Sequence, residues 1–254
     1  MRLKAAPIAI IIAFSFAISC ANKQVVLEQS GSKGDQLFVK GKTYYEKEKW
    51  GKAIKFLKEF TYSFPYHDSI AQGTYLLADS YYRDGQYSLA VNEFRRVAYR
   101  FSKTDYAERA ELMMAEAMLE SAPSIALEQE QTERALEAFR DFVTYHPTSE
   151  YLKQAEDGIQ RCRERLAEKE YRAAELYLKL DKPDAAILYA DLIADEYAGT
   201  SWVPRAMLIK ARALAEELDQ TDAAIRVLAE IVEKYPESKV SDEAERYIGK
   251  FSSN

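Results

Sequence analysis

AQGTYLLADSYYRDGQYSLAVNEFRRVAYRFS, residues 71–102, sets the pattern for the whole chain. Leu77, Ala78 and Tyr81 fall on one face of a helix by their spacing. Arg83, Asp84, Gly85 and Gln86 interrupt that helix, and Gly85 supplies the permissive backbone of a tight turn. Tyr87, Ala90, Phe94 and Val97 then resume at helical spacing. The stretch reads as two antiparallel amphipathic helices. Small Ala78 and Ala90 let the backbones approach, and large Tyr81 and Phe94 fill the space beside them. Such a pair cannot bury its apolar face alone and is stable only when copies stack on it.

The pattern recurs. An aromatic residue followed by a breaker closes the second helix at Phe64-Pro65, Phe101-Ser102, His146-Pro147, Tyr197-Ala198 and Tyr235-Pro236. Eight residues beyond each second member stands a small residue: Gly73, Ala110, Ala155, Ala206 and Ala244. The markers are separated by 37, 45, 51 and 38 residues, so the base unit is about 37. The eight extra residues of the 45-residue unit fall around Ser121, Ala122, Pro123 and Ser124 and a Glu/Gln-rich run. They predict a loop over 121–128, followed by a helix capped near Thr132 or begun slightly earlier. The fourteen extra residues of the 51-residue unit meet no breaker cluster, since only Gly158 interrupts 149–181. Fourteen residues are almost four turns at about 3.6 per turn, so the apolar face stays in phase. One helix of about 30 residues is predicted there, far beyond the usual length. Pro183 then opens the next helix as a first-turn proline. The last unit is read as 204–218 and 221–235, with Thr221 or Asp222 as cap, and a terminal helix as 241–251. The order small–aromatic–Gly–Tyr–Ala–Phe–Pro resembles the tetratricopeptide pattern, whose period is about 34. Gly41, Tyr44, Trp50, Ala53, Leu57 and Pro65 carry it in the first unit, where Glu48 replaces the turn Gly. The expected fold is all-α, a right-handed solenoid of about five tetratricopeptide-like helix pairs with one long mid-chain helix.

Composition agrees with helix. Of 254 residues 48% are hydrophobic, with only 9 Gly and 7 Pro. Eighteen Tyr accompany two His; tyrosine, apolar in body and polar at the tip, suits half-exposed helix walls. The net charge is -6 and no Lys/Arg block runs along the body, which argues against a nucleic-acid partner. His67 and His146 both sit at turns beside proline, and no zinc-protease, phosphate-loop or nucleophile-elbow motif occurs. Glu128, Glu130 and Glu133 read as a solvated helix start. The reading is therefore not an enzyme, with no cofactor and no metal.

The N-terminus carries an address. Arg2 and Lys4 precede an apolar run over 5–18, too short for a membrane span, that ends in Ser19-Cys20. Ala17-Ile18-Ser19-Cys20 resembles the lipobox of bacterial lipoproteins, departing at Ala17 where Leu is usual. That resemblance implies acylation of Cys20 after cleavage of residues 1–19, and two or three acyl chains give stable anchoring. Asn22 and Ala21 leave no Asp directly after Cys20, which accords with sorting to the outer membrane. Residues 20–34, rich in Ser and Gly, read as a lipidated flexible tether. Residues 35–147 hold repeats one to three; residues 148–254 hold repeats four and five and a capping helix. With Cys20 lipidated, Cys162 has no partner and no disulfide framework exists.

The stacked units, the lipobox and the strings FTYSFPYHDSIAQGTYLLADSYYRDGQYSLAVNEFRRVAYRFSKTDYAERA and ERLAEKEYRAAELYLKLDKPDAAILYADLIADEY resemble the BamD family of outer-membrane assembly lipoproteins over roughly residues 34–251. The long mid-chain helix is the more telling feature. The resemblance implies a periplasmic scaffold whose C-terminal repeats hold the barrel-assembly subunit through its periplasmic domains. Its N-terminal repeats would receive unfolded outer-membrane proteins. First-helix positions facing a peptide groove in tetratricopeptide proteins correspond to Phe38, Lys42 and Tyr45, and to Tyr75, Asp79, Tyr82 and Arg83. Each of these tyrosines could instead serve packing. An alternative of the same fold is a periplasmic adaptor for cell-wall or cell-division enzymes. Some of those carry an N-terminal coiled coil, for which residues 21–34 are too short and too Gly/Ser-rich. An enzyme using the groove would need catalytic groups that the chain does not display.

Overall fold

A computed structural model describes residues 31–252. Eleven α-helices occur among the described residues, and no strand. Four pairs open the stack: α1 (Lys33–Glu46) with α2 (Trp50–Ser63), α3 (Ile70–Arg83) with α4 (Tyr87–Arg100), α5 (Tyr106–Glu120) with α6 (Glu130–Tyr145), and α7 (Leu152–Lys179) with α8 (Pro183–Glu196). Then come α9 (Val203–Arg212), which continues as a π-helical turn over Ala213–Glu217, α10 (Thr221–Lys234) and α11 (Lys239–Ser252). Each helix packs on the next, and first helices also touch one another, α1 on α3, α3 on α5, α5 on α7 and α7 on α9. The solenoid expectation is met, and the long helix is 28 residues.

The five markers share one backbone. Phe64, Phe101, His146, Tyr197 and Tyr235 have φ between -130° and -116° and ψ between 31° and 59°. Each N–H donates to the carbonyl four residues earlier, and each carbonyl accepts from the residue three later. The residues four before the markers, Phe60, Val97, Phe142, Ile193 and Ile231, are all buried. So are the five small residues eight past the breakers. The turn thus hands one buried side chain to the small position of the following helix. Gly158 shows how tight such contacts are: a Cβ there would lie 2.5 Å from Cζ of the fully buried Phe139.

The turns within pairs need a left-handed residue. Gly85 takes φ 75°, and Glu48, Asp181 and Asp219 take 54°, 53° and 54° at the corresponding places. Glu48 therefore makes the same turn as Gly85. An L-residue in that region costs about 1–2 kcal/mol, which the packed pair tolerates.

The structure moves several boundaries. α1 starts at Lys33 and not after residue 34, because Ser32 forms a capping box. Ser32 Oγ accepts from the Asp35 N–H at 3.2 Å, and the Asp35 carboxylate accepts from the Ser32 N–H at 2.7 Å. α6 begins at Glu130, slightly earlier than Thr132, the second of the two expected starts; Thr132 is buried inside its first turn and donates to Gln129 at 2.9 Å, so it is no cap. Pro183 opens α8, as expected. Gln220, not Thr221 or Asp222, occupies the cap position of α10. The one extra residue of the 38-residue unit is absorbed by the π turn, as a single insertion into a helix often is. The expected signal peptide, Cys20 and most of the expected tether lie outside the described residues.

Two substitutions test the packing. Glu48→Gly removes the left-handed penalty but loosens the unfolded chain, so a net gain of a few tenths to about 1 kcal/mol is expected in urea unfolding. Gly158→Val forces Phe139 aside and should lower the same quantity by about 1–3 kcal/mol.

Candidate peptide-binding row

The first helices place the expected residues on two different footings. Tyr45 on α1 donates its hydroxyl to Asp79 Oδ2 on α3 at 2.6 Å, and Arg83 Nε lies 3.5 Å from the same oxygen. Asp79 is only 3% exposed, so both partners offset the desolvation of its charge. Arg83 sits one turn from Asp79 and keeps about half of its side chain in solvent. Burial, and then the bond to Asp79, raises the Tyr45 phenol well above its ordinary range. Trp50 meets the Tyr45 ring edge-on at 5.5 Å. This cluster joins the first pair to the second.

Tyr75 is a core residue. Expected at a groove position, it instead serves packing: it is 5% exposed, with Phe94 of its own pair at 5.8 Å and Tyr106 of α5 at 5.4 Å. The reason is tertiary: α5 arrives over α3 and closes the ring in. Its hydroxyl has no hydrogen-bond partner, and burial pushes it up to about 12. The Arg109 guanidinium stands 5.6 Å over the ring. Phe38 likewise packs inward, on Phe60 at 5.3 Å. Lys42 is half-buried on α1. Tyr82 faces elsewhere: its ring meets Tyr87 at 5.5 Å, and burial, with Glu116 and Glu120 nearby, pushes its hydroxyl up to about 12.

The row continues where the sequence reading named nothing. Glu116 on α5 accepts from Arg161 on α7 at 2.5 Å, and that bond raises the Arg161 pKa. His146 Nε2 is 2.8 Å from Glu111, and Ser149 donates to Glu108. The loop over 121–129 is tied down: Arg165 donates to Gln129 at 2.9 Å and to the Pro123 carbonyl, and Lys169 reaches Glu128 at 3.3 Å. A signal for the missed pair was available. Fourteen residues past each breaker stand Asp79, Glu116, Arg161 and Arg212. One ruler position thus carries fixed charge in four successive first helices.

Chemically the row offers tyrosine rings, paired charges and half-buried stems. Among the described residues no group of His, Cys, Asp and Glu is arranged to hold a metal ion, and no helix is long and apolar enough to cross a membrane. Cys162 is fully buried, and burial pushes its thiol up to about 12.

Comparison with known proteins places this architecture. Residues 31–217 match the YfiO outer membrane lipoprotein family. The chain belongs to that family. Residues 205–238 also match a tetratricopeptide repeat family. The outer membrane protein assembly factor BamD of Caulobacter vibrioides is 26% identical over 201 residues, which cover 78% of this chain and 66% of that relative, just under two thirds of its length. A TPR repeats protein from Bacteroides fragilis aligns at 13% identity and a TM-score of 0.48 over 88% of this chain and 99% of its own. The TPR2AB domain:pHSP90 complex of yeast Sti1 aligns at 17% identity and a TM-score of 0.44 over 87% and 86%.

Two substitutions and one labelling experiment test these assignments. Tyr45→Phe leaves buried Asp79 with Arg83 alone and should destabilise the fold by about 1.5–3 kcal/mol. Tyr75→Phe removes a hydroxyl that pairs with nothing and should leave thermal unfolding unchanged or slightly raised. In a Cys20→Ser background, Cys162 should resist iodoacetamide at pH 8 when folded and react in denaturant; rapid labelling of the folded protein contradicts its burial.

Proposed function

We propose that the chain is a lipid-anchored scaffold of outer-membrane protein assembly, held at the periplasmic face of the outer membrane by acyl chains on Cys20. Its C-terminal repeats hold the barrel-assembly subunit through that subunit's periplasmic domains. Its N-terminal repeats receive unfolded outer-membrane proteins. Family membership and similarity to a named assembly factor support this reading. The observation that carries the client-binding part is the Tyr45–Asp79–Arg83 cluster, whose guanidinium stays half in solvent. It sets an exposed guanidinium and aromatic edges along first helices that touch in sequence. An extended polypeptide can use such a surface through its backbone carbonyls and aromatic side chains.

The lipid anchor is tested by fractionation. Cys20→Ser should move the protein from the membrane to the soluble fraction, and a variant still membrane-bound with unchanged mobility would overturn the assignment. The client role is tested by fluorescence anisotropy with a peptide from the C-terminal strand of an outer-membrane protein. Arg83→Ala should weaken binding about tenfold at a temperature where the variant is still folded, although losing the charge partner of Asp79 lowers its melting temperature. Equal affinity for the variant would remove Arg83 from the client site.

A further inference from the structure

The long helix α7 carries one apolar stripe, and the stack covers only half of it. Cys162 and Leu166 are buried in the cluster formed with α5 and α6. The same stripe runs on through Ala173, Leu176, Tyr177 and Leu180, at the three- and four-residue spacing that repeats one helix face. There the cover ends, because α6 begins only at Glu130 and its loop meets α7 no further along than Lys169. Leu176 and Leu180 are each 54% exposed.

α8 completes a surface. Tyr177 stacks on Tyr189 at 5.3 Å, which fixes the register of the antiparallel pair. The inner face of α8, through Ala190 and Ile193, packs toward α9. Leu188 and Leu192 lie one turn apart on the other side, 66% and 37% exposed. With that register, helix geometry sets Leu180, Tyr177, Tyr189, Leu188 and Leu192 on the one face of the pair turned away from α9. In a regular stack this is where the preceding pair sits. The four-turn extension has carried the α7–α8 pair beyond it.

Charge distinguishes the possible occupants. α8 contains Asp184, Asp191, Asp195 and Glu196 and not one Lys or Arg. Asp191 pairs with Lys210 at 2.6 Å, but among the described residues no ion pair engages Asp184, Asp195 or Glu196. At the other end of the surface, Lys169 is taken up by Glu128, with Glu170 and Glu133 close by. Along α7 the basic groups are taken up, Arg172 by Glu168 and Lys179 by Glu175, and Lys182 alone stands against the unpaired acids of α8, so the rim is net acidic and a second copy of this chain would face mostly its own charge. We infer that this face docks an amphipathic helix of another protein, apolar on one side and flanked by Lys or Arg. It would lie where a preceding helix would stack and continue the interface that α5 and α6 make with α7.

The test uses the mature full-length protein and a fluorescein-labelled 18-residue helical peptide with Leu on one face and Lys and Arg on the other. Saturable binding is expected by anisotropy, weakening with salt. The Leu180→Glu/Leu188→Glu double variant should bind at least tenfold more weakly. Tyr99→Glu, an exposed aromatic on α4, should bind as well as the parent. The exposed positions predict an unchanged melt; should the double Glu variant unfold, Leu180→Ser/Leu188→Ser replaces it with the same expectation. Three outcomes overturn the inference: no saturable binding, equal binding of a peptide with Glu in place of Lys and Arg, or equal loss in Tyr99→Glu. Self-association of the parent in sedimentation velocity that Leu188→Glu abolishes would also overturn it, since the occupant would then be a second copy.

Discussion

Every step of this stack passes through a position that holds at most a methyl group. The residue four before each turn is buried, and the small residue of the next helix lies in the same packed layer. Gly73 is the extreme case: a Cβ there would lie only 2.4 Å from Cε1 of Phe60. Close approach of this kind gives dispersion contacts and water exclusion together, and a packed interior cannot relax around an extra methyl group. Because each pair buries its apolar face only on its neighbours, the stack is cooperative in one dimension.

With that contact conserved in form at all five turns, length can vary only elsewhere. The distance from the left-handed residue to the following marker is 16 in each of the four pairs that have one, from Glu48, Gly85, Asp181 and Asp219. All variation therefore falls in first helices or in the 121–129 loop. A single extra residue breaks the phase of an α-helix and appears as the π turn at Ala213–Glu217. Fourteen extra residues keep the phase and simply lengthen α7. The first insertion is a local adjustment, whereas the second shifts the C-terminal pairs along the helix and bares a leucine face.

This division sets two surfaces apart. The N-terminal pairs present tyrosines and paired charges on first helices, with Asp79 bridging α1 and α3. Farther on, Glu116 and Arg161 bridge α5 and α7 at the equivalent position. Buried charge needs such partners, and the bridges make neighbouring repeats rigid with respect to each other.

Much of the fold was legible in the residues. Helix pairs, the five turns, the long helix and Pro183 at its N1 position all follow from spacing and breakers, because those features are set within a few residues along the chain. The capping box at Ser32 was equally local, and its Asp35 partner stands three residues on. The Asp79, Glu116, Arg161 and Arg212 series was also present in the period. What periodicity could not decide is which half-apolar side chains are covered. Tyr75 and Tyr82 look alike in the sequence, yet α5 buries the first with Tyr106 and leaves the second half exposed. Leu166 and Leu180 lie on one stripe of one helix, and only the end of α6 makes one core and the other surface. Helical spacing determines direction around an axis; burial depends on where a neighbouring helix stops, and that is a property of the stack.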